Sequence, residues 1–354
     1  MGEGTHRAVT IGAHQVSADH RPFVVAEMSG NHNGDLGRAL AIVDAIAESG
    51  AQAVKLQTYT ADTITIDVDG PAFRVSSGHE LWSGKNLYQL YTEAHTPWEW
   101  HAPIFERARE RGLVAFSSPF DGTAVDLLED LGAPAYKIAS LEIGDVALLR
   151  RVAATGKPVI ISTGAATVTD VDTAVRTLRA EGNDQIVVLA CTSSYPASPA
   201  ESNLRSLPVI RDTFDVVVGL SDHTKGIGVA VAAVALGACL LEKHVTLART
   251  DGGVDSGFSL EPHELTALAT ETERAWQALG RVQLEPTPGE AESRRLRRSL
   301  YIVADVRAGE TVTTQNVRSI RPAGGLEPAQ LAGVLGRTFT RDAPRGTPLS
   351  WELL

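Results

Sequence analysis

Eight short apolar runs, each ending in a polar or glycine-bearing tip, constrain this chain more than any other feature. They are 22–27 (PFVVAE), 53–57 (AVKLQ), 113–118 (LVAFSS), 135–140 (AYKIAS), 158–163 (PVIIST), 186–192 (IVVLACT), 216–220 (VVVGL) and 239–244 (CLLEKH). Most are apolar throughout rather than alternating, as parallel strands buried on both faces are. Helical patterns separate them, for example 35–49, 98–111 and 122–131, and an amphipathic stretch over 262–279 closes the series at Gly280. Eight such units over about 260 residues predict an α/β fold, a TIM (β/α)8 barrel. The rival, a doubly wound open sheet, usually carries an early glycine fingerprint, and no GxGxxG follows the first strand here.

In a barrel the C-terminal ends of the strands carry the active site. The tips here hold Glu27; Lys55 and Gln57; Ser117 and Ser118; Lys137, Ser140 and Glu142; Ser162, Thr163 and Gly164; Thr192, Ser193, Ser194 and Tyr195; Ser221, Asp222 and His223; Glu242 and His244. The last two runs and the small-residue helix between them make one β-α-β unit, 219–247. A right-handed crossover keeps its strands pointing the same way, so His223 and His244 emerge on one face. Two such imidazoles can share a metal ion; surface or hydrogen-bonded core histidines are the plainer alternative. No cysteine stands beside them to close a structural zinc site, so an open site completed by oxygen ligands or water fits better. Lys55 and Lys137 each sit between apolar neighbours, and a lysine there is costly unless it meets an anion. The pair, with hydroxyls around it, predicts a site for phosphate and carboxylate. A salt-bridged or snorkelling lysine and a Schiff-base lysine are the competing roles.

The chain has 354 residues, enough for a barrel plus a small domain. Its net charge of −11 argues against nonspecific binding to nucleic acid or to anionic membrane. Any anionic substrate must therefore be met by local positive charge. Cys191 and Cys239 lie in apolar strand patterns and make neither a disulfide framework nor a metal-spaced cluster, which suggests a reducing, cytoplasmic setting. No secretory h-region is visible at the start, and no run is long enough to span a membrane. Residues 58–97 form an insertion, the length of a functional lid or binding loop. Its aromatics Tyr59, Phe73, Trp82, Tyr88 and Tyr91 suit a sugar or an apolar group, whereas LYQLYTEA reads more simply as a short helix on the barrel. After Gly280 the composition turns to Pro, Gly and charge. We expect a barrel domain over 1–283, a linker over 284–297 and a small β-rich domain over 298–354. The cluster Arg294, Arg295, Arg297 and Arg298, offset by Glu290 and Glu292, reads as a solvated hinge. DVRAGE and DAPRGTPL repeat within the tail and suggest pseudo-symmetry.

These residues resemble the sialic acid synthase family over nearly the whole chain. The resemblance rests on AEMSGNHNGD (26–35), VKLQTY (54–59), FSSPFD (116–121), AYKIASLEI (135–143), ISTGAA (161–166), CTSSYP (191–196), GLSDHT (219–224) and EKHVT (242–246). The tail, with DVRAGE and IRPAGG, is similar to the SAF (antifreeze-like, β-clip) domain of these enzymes. TYTADTIT, TPWEWH, GGVDSGFSLEP and RGTPLSWELL look most like the pseudaminic acid synthase branch. The resemblance implies a transferase that condenses phosphoenolpyruvate with an open-chain amino-sugar aldehyde, giving a nine-carbon 2-keto acid and phosphate by C–O cleavage. It implies a divalent ion, Mn²⁺ before Mg²⁺ or Co²⁺, on His223 and His244, with Glu27 as catalytic glutamate. Lys55, Ser117, Lys137, Ser140, Ser162, Ser194 and Ser221 would hold phosphoenolpyruvate. Gln57, Glu142, Tyr195 and Asp255 would face the acceptor. It also implies a domain-swapped homodimer in which Arg321, in IRPAGG, reaches the partner's acceptor. The chain departs from the family in three places: serines stand at 193 and 194 where neuraminate synthases carry Asn in this motif, and Met28 and Gly30 replace the usual Leu or Ile and Ala. A neuraminate or legionaminate synthase, a Schiff-base aldolase and a non-catalytic sugar-binding protein are the other readings.

Overall fold

A strand that is apolar on both faces must be covered on both, and closing the sheet on itself does this. The computed structural model describes residues 7–74 and 85–354. A small antiparallel hairpin, β1 (Val9–Ile11) and β2 (His14–Val16), precedes the barrel. Then follow β3 (Phe23–Glu27), α1 (Leu36–Ser49), β4 (Ala53–Thr58), α2 (Ala61–Ile64), α3 (Leu87–Ala94), α4 (Trp98–Glu110), β5 (Val114–Pro119), α5 (Gly122–Asp130), β6 (Tyr136–Ile138), α6 (Val146–Ala153), β7 (Val159–Ser162), α7 (Val168–Ala180), β8 (Ile186–Cys191), α8 (Ser206–Phe214), β9 (Val217–Ser221), α9 (Gly228–Ala235), β10 (Leu240–His244) and α10 (Pro262–Leu279). Strands β3 to β10 close in sequence order into an eight-stranded parallel barrel, with β10 returning to pair with β3. The predicted barrel is the observed one. No helix among the described residues is long and apolar enough to cross a membrane.

Two apolar clusters show which way each strand residue points. Phe23, Val25, Ala53, Phe116, Ile160, Leu189 and Leu240 fill the barrel axis, together with Val9, Ile11 and Val16 of the hairpin. Val24, Ala26, Val54, Leu56, Ile161 and Val188 pack outward against the helices. Side chains alternate along a strand, so this parity places Glu27, Lys55, Ser118, Lys137, Ser162, Cys191, Ser221 and Glu242 on the axis at the C-terminal end. It also turns Ser117 outward. Its hydroxyl lies 2.6 Å from Thr58 Oγ1, which lies 2.8 Å from His101 Nε2. His101 Nδ1 faces the Pro97 carbonyl at 3.2 Å.

His32 and His101 are buried and neutral, each with its pKa lowered to about 4, first by burial and then, among the charges nearby, by that of His95. His32 is fixed by the Gly34 N–H at 3.1 Å and the Thr96 hydroxyl at 3.3 Å. Between about pH 6.5 and 4 the unfolded chain binds more protons at these sites than the folded one. The stability they contribute is therefore complete above the unfolded pKa and is lost as pH falls toward 4, roughly 3 kcal/mol for each ring over the full range. Urea midpoints should fall between pH 7 and pH 5, and His101→Gln should shrink that fall. An unchanged pH dependence in the variant would contradict the assignment.

Arg281–Leu354 forms a second compact unit. A short helix, α11 (Ala291–Arg295), leads into β11 (Ser299–Ile302), which pairs antiparallel with β12 (Val317–Ile320). Leu300, Ile302, Val306, Val317, Phe339 and Leu349 belong to its core. The repeat in the tail is built as a reciprocal pair. Val306 and Ala343 exchange backbone hydrogen bonds at 3.0 Å, Asp342 accepts from Ala308 N and Asp305 accepts from Arg345 N, both at 2.8 Å.

Candidate active site

The barrel axis ends in a buried set of ionisable groups. Lys55, paired across the strands with Glu27, makes an ion pair with it. Glu242 lies between the two lysines, 3.8 Å from Lys55 and 4.0 Å from Lys137, and accepts the Ser221 hydroxyl at 3.0 Å. Lys55 also donates to Ser118 Oγ at 3.3 Å. All four charged side chains are at most 6% exposed. Burial raises the Glu27 carboxyl, with Lys55 opposing and Glu242 adding to the rise. Burial acts on Glu242 in the same sense, but Lys137 and Lys55 outweigh it and hold that carboxyl below its ordinary value. Two carboxyls driven apart in this way take different roles: Glu27 can hold or give a proton, and Glu242 is the standing anion. Burial depresses Lys137, with Glu242 opposing. Lys55 is raised, since Glu242 and Glu27 together overcome its desolvation.

Beside this set the tips of β6, β7 and β8 form a hydroxyl cradle. Gly164 N donates to Ser140 Oγ at 3.0 Å. A Cβ added at Gly164 would lie 2.0 Å from Ser193 Oγ and 2.8 Å from Ser140 Oγ, so only glycine lets these groups converge. The Ser162 hydroxyl is buried nearby in the same strand tip and has no hydrogen-bond partner among the described residues. Ser194 is exposed and donates to the Pro196 carbonyl at 3.3 Å. Ser194, expected to hold the donor, therefore lies away from this cradle, and Ser193 stands in it. Ser117 is corrected likewise: it faces the helices, and Ser118 takes the axial place.

Above the lysines opens a cavity of about 510 Å³, within the range of small-molecule sites. Gln57, Glu142, Tyr195 and Asp255 all line it, with His244, Ser29 and Ser140. Tyr59 and Tyr91 of the insertion line it too, their rings edge to face at 5.7 Å. Tyr88 points elsewhere, its hydroxyl donating to Asp62 at 3.1 Å. Phe73 is not part of the lining, and Trp82 lies outside the described residues. Arg321 belongs to the second unit, where it is exposed at the end of β12.

His223 and His244 stand with ring centroids 5.3 Å apart. His223 Nδ1 donates to the Thr192 carbonyl at 3.0 Å, which leaves its Nε2 as the lone-pair nitrogen. Burial opposes charge on His223, but the Cys191 thiol, 3.9 Å from Nδ1, and the Thr192 carbonyl raise its pKa overall. Burial alone would raise the Cys191 thiol; His223, Ser140 and Lys137 bring it down to about 7. His244 is kept neutral by burial and then by His223 and the lysines. Its buried Nδ1 has no hydrogen-bond partner among the described residues, with Asp255 Oδ2 at 3.5 Å. Asp255 takes the Ser29 hydroxyl, and burial raises its pKa. Among the described residues no three His, Cys, Asp or Glu side chains gather as a metal cluster. Two imidazoles, His223 oriented by a carbonyl and His244 neutral with an orphaned nitrogen, nevertheless fit an open site in which water or substrate oxygens complete the shell.

The sequence from 42 to 284 matches the NeuB family, and 297–354 matches the SAF domain. The chain belongs to the NeuB family. It is 41% identical over 330 residues to a pseudaminic acid synthase of Helicobacter pylori, covering 93% of this chain and 96% of that one. It is 35% identical over 336 residues to an N,N'-diacetyllegionaminic acid synthase of Legionella pneumophila, covering 93% and 94%. The crystal structure of an N-acetylneuraminic acid (sialic acid) synthetase from Leptospira borgpetersenii superposes with a TM-score of 0.72 at 32% identity, over 82% of this chain and 96% of that one.

Three residues of this NeuB chain carry more of the site than the sequence assigned them. Glu242 was visible at a strand tip but had no role; its parity with His244, two residues on, was the available signal. Cys191 shares parity with Leu189 on the axis and so meets His223. Ser118 differs from Ser117 only by parity. Asp222 lies at a tip but faces outward, where it accepts from Lys243 at 2.9 Å and from the Thr224 hydroxyl at 2.7 Å.

Proposed function

We propose that the chain condenses phosphoenolpyruvate with an open-chain 2,4-diacetamido-2,4,6-trideoxy-altrose, as a pseudaminic acid synthase. The observation that carries this reading is the buried set of two lysines, one standing carboxylate and one raised carboxyl beneath a sugar-sized cavity edged by His244, whose ring neighbours that of His223. Lys55 and Lys137, with Ser118, Ser140, Ser162, Ser193 and Ser221, would bind the donor's carboxylate and phosphate by position and charge. Gln57, Glu142, Tyr195 and Asp255 would orient the acceptor above them. A divalent ion on His223 and His244, Mn²⁺ by preference, would supply Lewis-acid polarisation of the aldehyde oxygen.

Carbon 3 of phosphoenolpyruvate attacks the aldehyde carbon. A C–C bond forms, and the aldehyde oxygen becomes a hydroxyl by taking a proton. Water adds at carbon 2 and gives up a proton. Glu27, poised by its raised pKa, carries protons between water and that oxygen. The tetrahedral carbon then expels phosphate by breaking its bond to the bridging oxygen, leaving the 2-keto acid. One donor, one aldehyde and one water thus yield one keto acid and one phosphate.

The test is phosphate release by the full chain after EDTA and then Mn²⁺, with the altrose sugar, the legionaminate precursor and N-acetylmannosamine as acceptors. Release with the altrose sugar, lost in EDTA and restored by Mn²⁺, supports the reading. Release only with another acceptor keeps the reaction and rejects the substrate. Metal-independent turnover trapped by borohydride on a lysine would favour a Schiff-base aldolase.

The parity of β5 gives a sharper check. Ser118→Ala should raise the KM for phosphoenolpyruvate by about 10-fold, the effect of one lost hydrogen bond to a charged group. Ser117→Ala should leave that KM within about twofold and lower stability by about 1 kcal/mol. The reverse pattern would contradict the axial assignment.

A further inference from the structure

Helix α3 turns an unusual face to the cavity. Leu87, Leu90, Tyr91 and Ala94, spaced i, i+3, i+4 and i+7, all line it. A helix normally buries such a stripe against a protein core. Here Ile64 of α2 and Val254 of the loop after β10 extend the same apolar wall. The wall stands where it does because residue 30 is glycine. A Cβ there would lie 2.6 Å from Val254 Cγ2 and 2.9 Å from the Ala94 carbonyl oxygen. The C-terminal end of α3 and the Val254 side chain therefore press directly on the Gly30 backbone, and any side chain at 30 would displace one of them. Most of the polar lining, Gln57, Glu142, His244 and Asp255 among it, comes from the strand tips and the loops that follow them, and Arg74 of the insertion adds a guanidinium to the lining.

We propose that this wall, seated on Gly30, is the specificity element of the site: it receives the methyl-terminated end of a 6-deoxy amino-sugar and rejects the same sugar ending in hydroxymethyl. The inference rests on the reading given under Proposed function and assigns its acceptor choice to named residues. A hydroxyl pressed against Leu87, Leu90 and Ile64 loses water without gaining a partner. Apolar pockets of this kind discriminate against an added hydroxyl by up to about 100-fold and no more. The expected preference is therefore about 10- to 100-fold in kcat/KM.

The experiment compares kcat/KM of the full chain for 2,4-diacetamido-2,4,6-trideoxy-altrose and for its 6-hydroxy counterpart, with the KM for phosphoenolpyruvate measured alongside. Wild type should prefer the deoxy sugar. Leu87→Gln and Ile64→Gln should bring the ratio close to one while the phosphoenolpyruvate KM holds, and Leu87→Met should keep the preference. Gly30→Ala should lower kcat/KM for the deoxy sugar by moving the wall without changing its chemistry. If wild type uses neither sugar, the functional reading and this inference both fall. If wild type uses both equally, or if the glutamine variants keep the full preference, the functional reading stands and the inference is overturned.

Discussion

Glu27→Gln is expected to lower kcat by about 10³-fold, the usual span of a lost general acid–base, while the KM for phosphoenolpyruvate changes by less than about threefold. The substitution keeps the shape of the side chain and removes only its ability to exchange a proton. Lys55 retains Glu242 as a counter-charge, 3.8 Å away, so the lysine is not left alone in the barrel. Burial raises the Glu27 carboxyl, and the neighbouring Glu242 adds to the rise against Lys55. A proton is therefore held there at a higher pH than an exposed glutamate would hold one. The limb of the pH–rate profile that reports this group should disappear in the variant. Turnover within about tenfold of wild type, with that limb intact, would remove Glu27 from the chemistry.

His244→Ala is expected to abolish measurable turnover, a loss of at least about 10³-fold, and to weaken Mn²⁺ binding in the absence of any substrate. The second readout matters because it does not depend on catalysis. A site with two protein ligands loses half of them in this variant, and even second-shell losses cost 10- to 100-fold in metal affinity. Mn²⁺ titration followed by electron paramagnetic resonance should show one bound ion per wild-type chain and a dissociation constant at least about 100-fold weaker in the variant. The ring is buried and kept neutral, which is the state that ligation requires. Full Mn²⁺ affinity in His244→Ala would place the ion elsewhere.

The barrel was legible because its signal is redundant. Eight separate runs had to be misread together for the fold to be missed, and β-α alternation has few solutions. The histidine pair was legible for the same reason: His244 ends one strand of a β-α-β unit, His223 follows the end of the neighbouring strand by two residues, and the crossover fixes their side. What the sequence could not supply was parity. In VAFSSP both faces of the strand are buried, so Ser117 and Ser118 look alike until Phe116 is seen on the barrel axis. Glu242 was obscured by Lys243 beside it; one faces the lysines and the other faces Asp222, and only the register separates them. Ser193 and Ser194 pose the same problem in a loop, where no periodicity exists to help. The cavity wall was hidden differently. LYQLYTEA is a plain amphipathic helix in sequence, and nothing local says that its apolar stripe meets a cavity rather than a core.

The condensation proposed for this barrel requires that the C–O bond of the donor breaks, not the P–O bond. The direct measurement supplies phosphoenolpyruvate labelled with ¹⁸O at the bridging oxygen, together with the altrose acceptor and Mn²⁺, and reads the released phosphate by its ³¹P isotope shift. C–O cleavage at the lysine-flanked site carries the label into phosphate, and one labelled phosphate should form for each keto acid. Unlabelled phosphate would mean that the P–O bond breaks, and the condensation proposed for this barrel would be wrong.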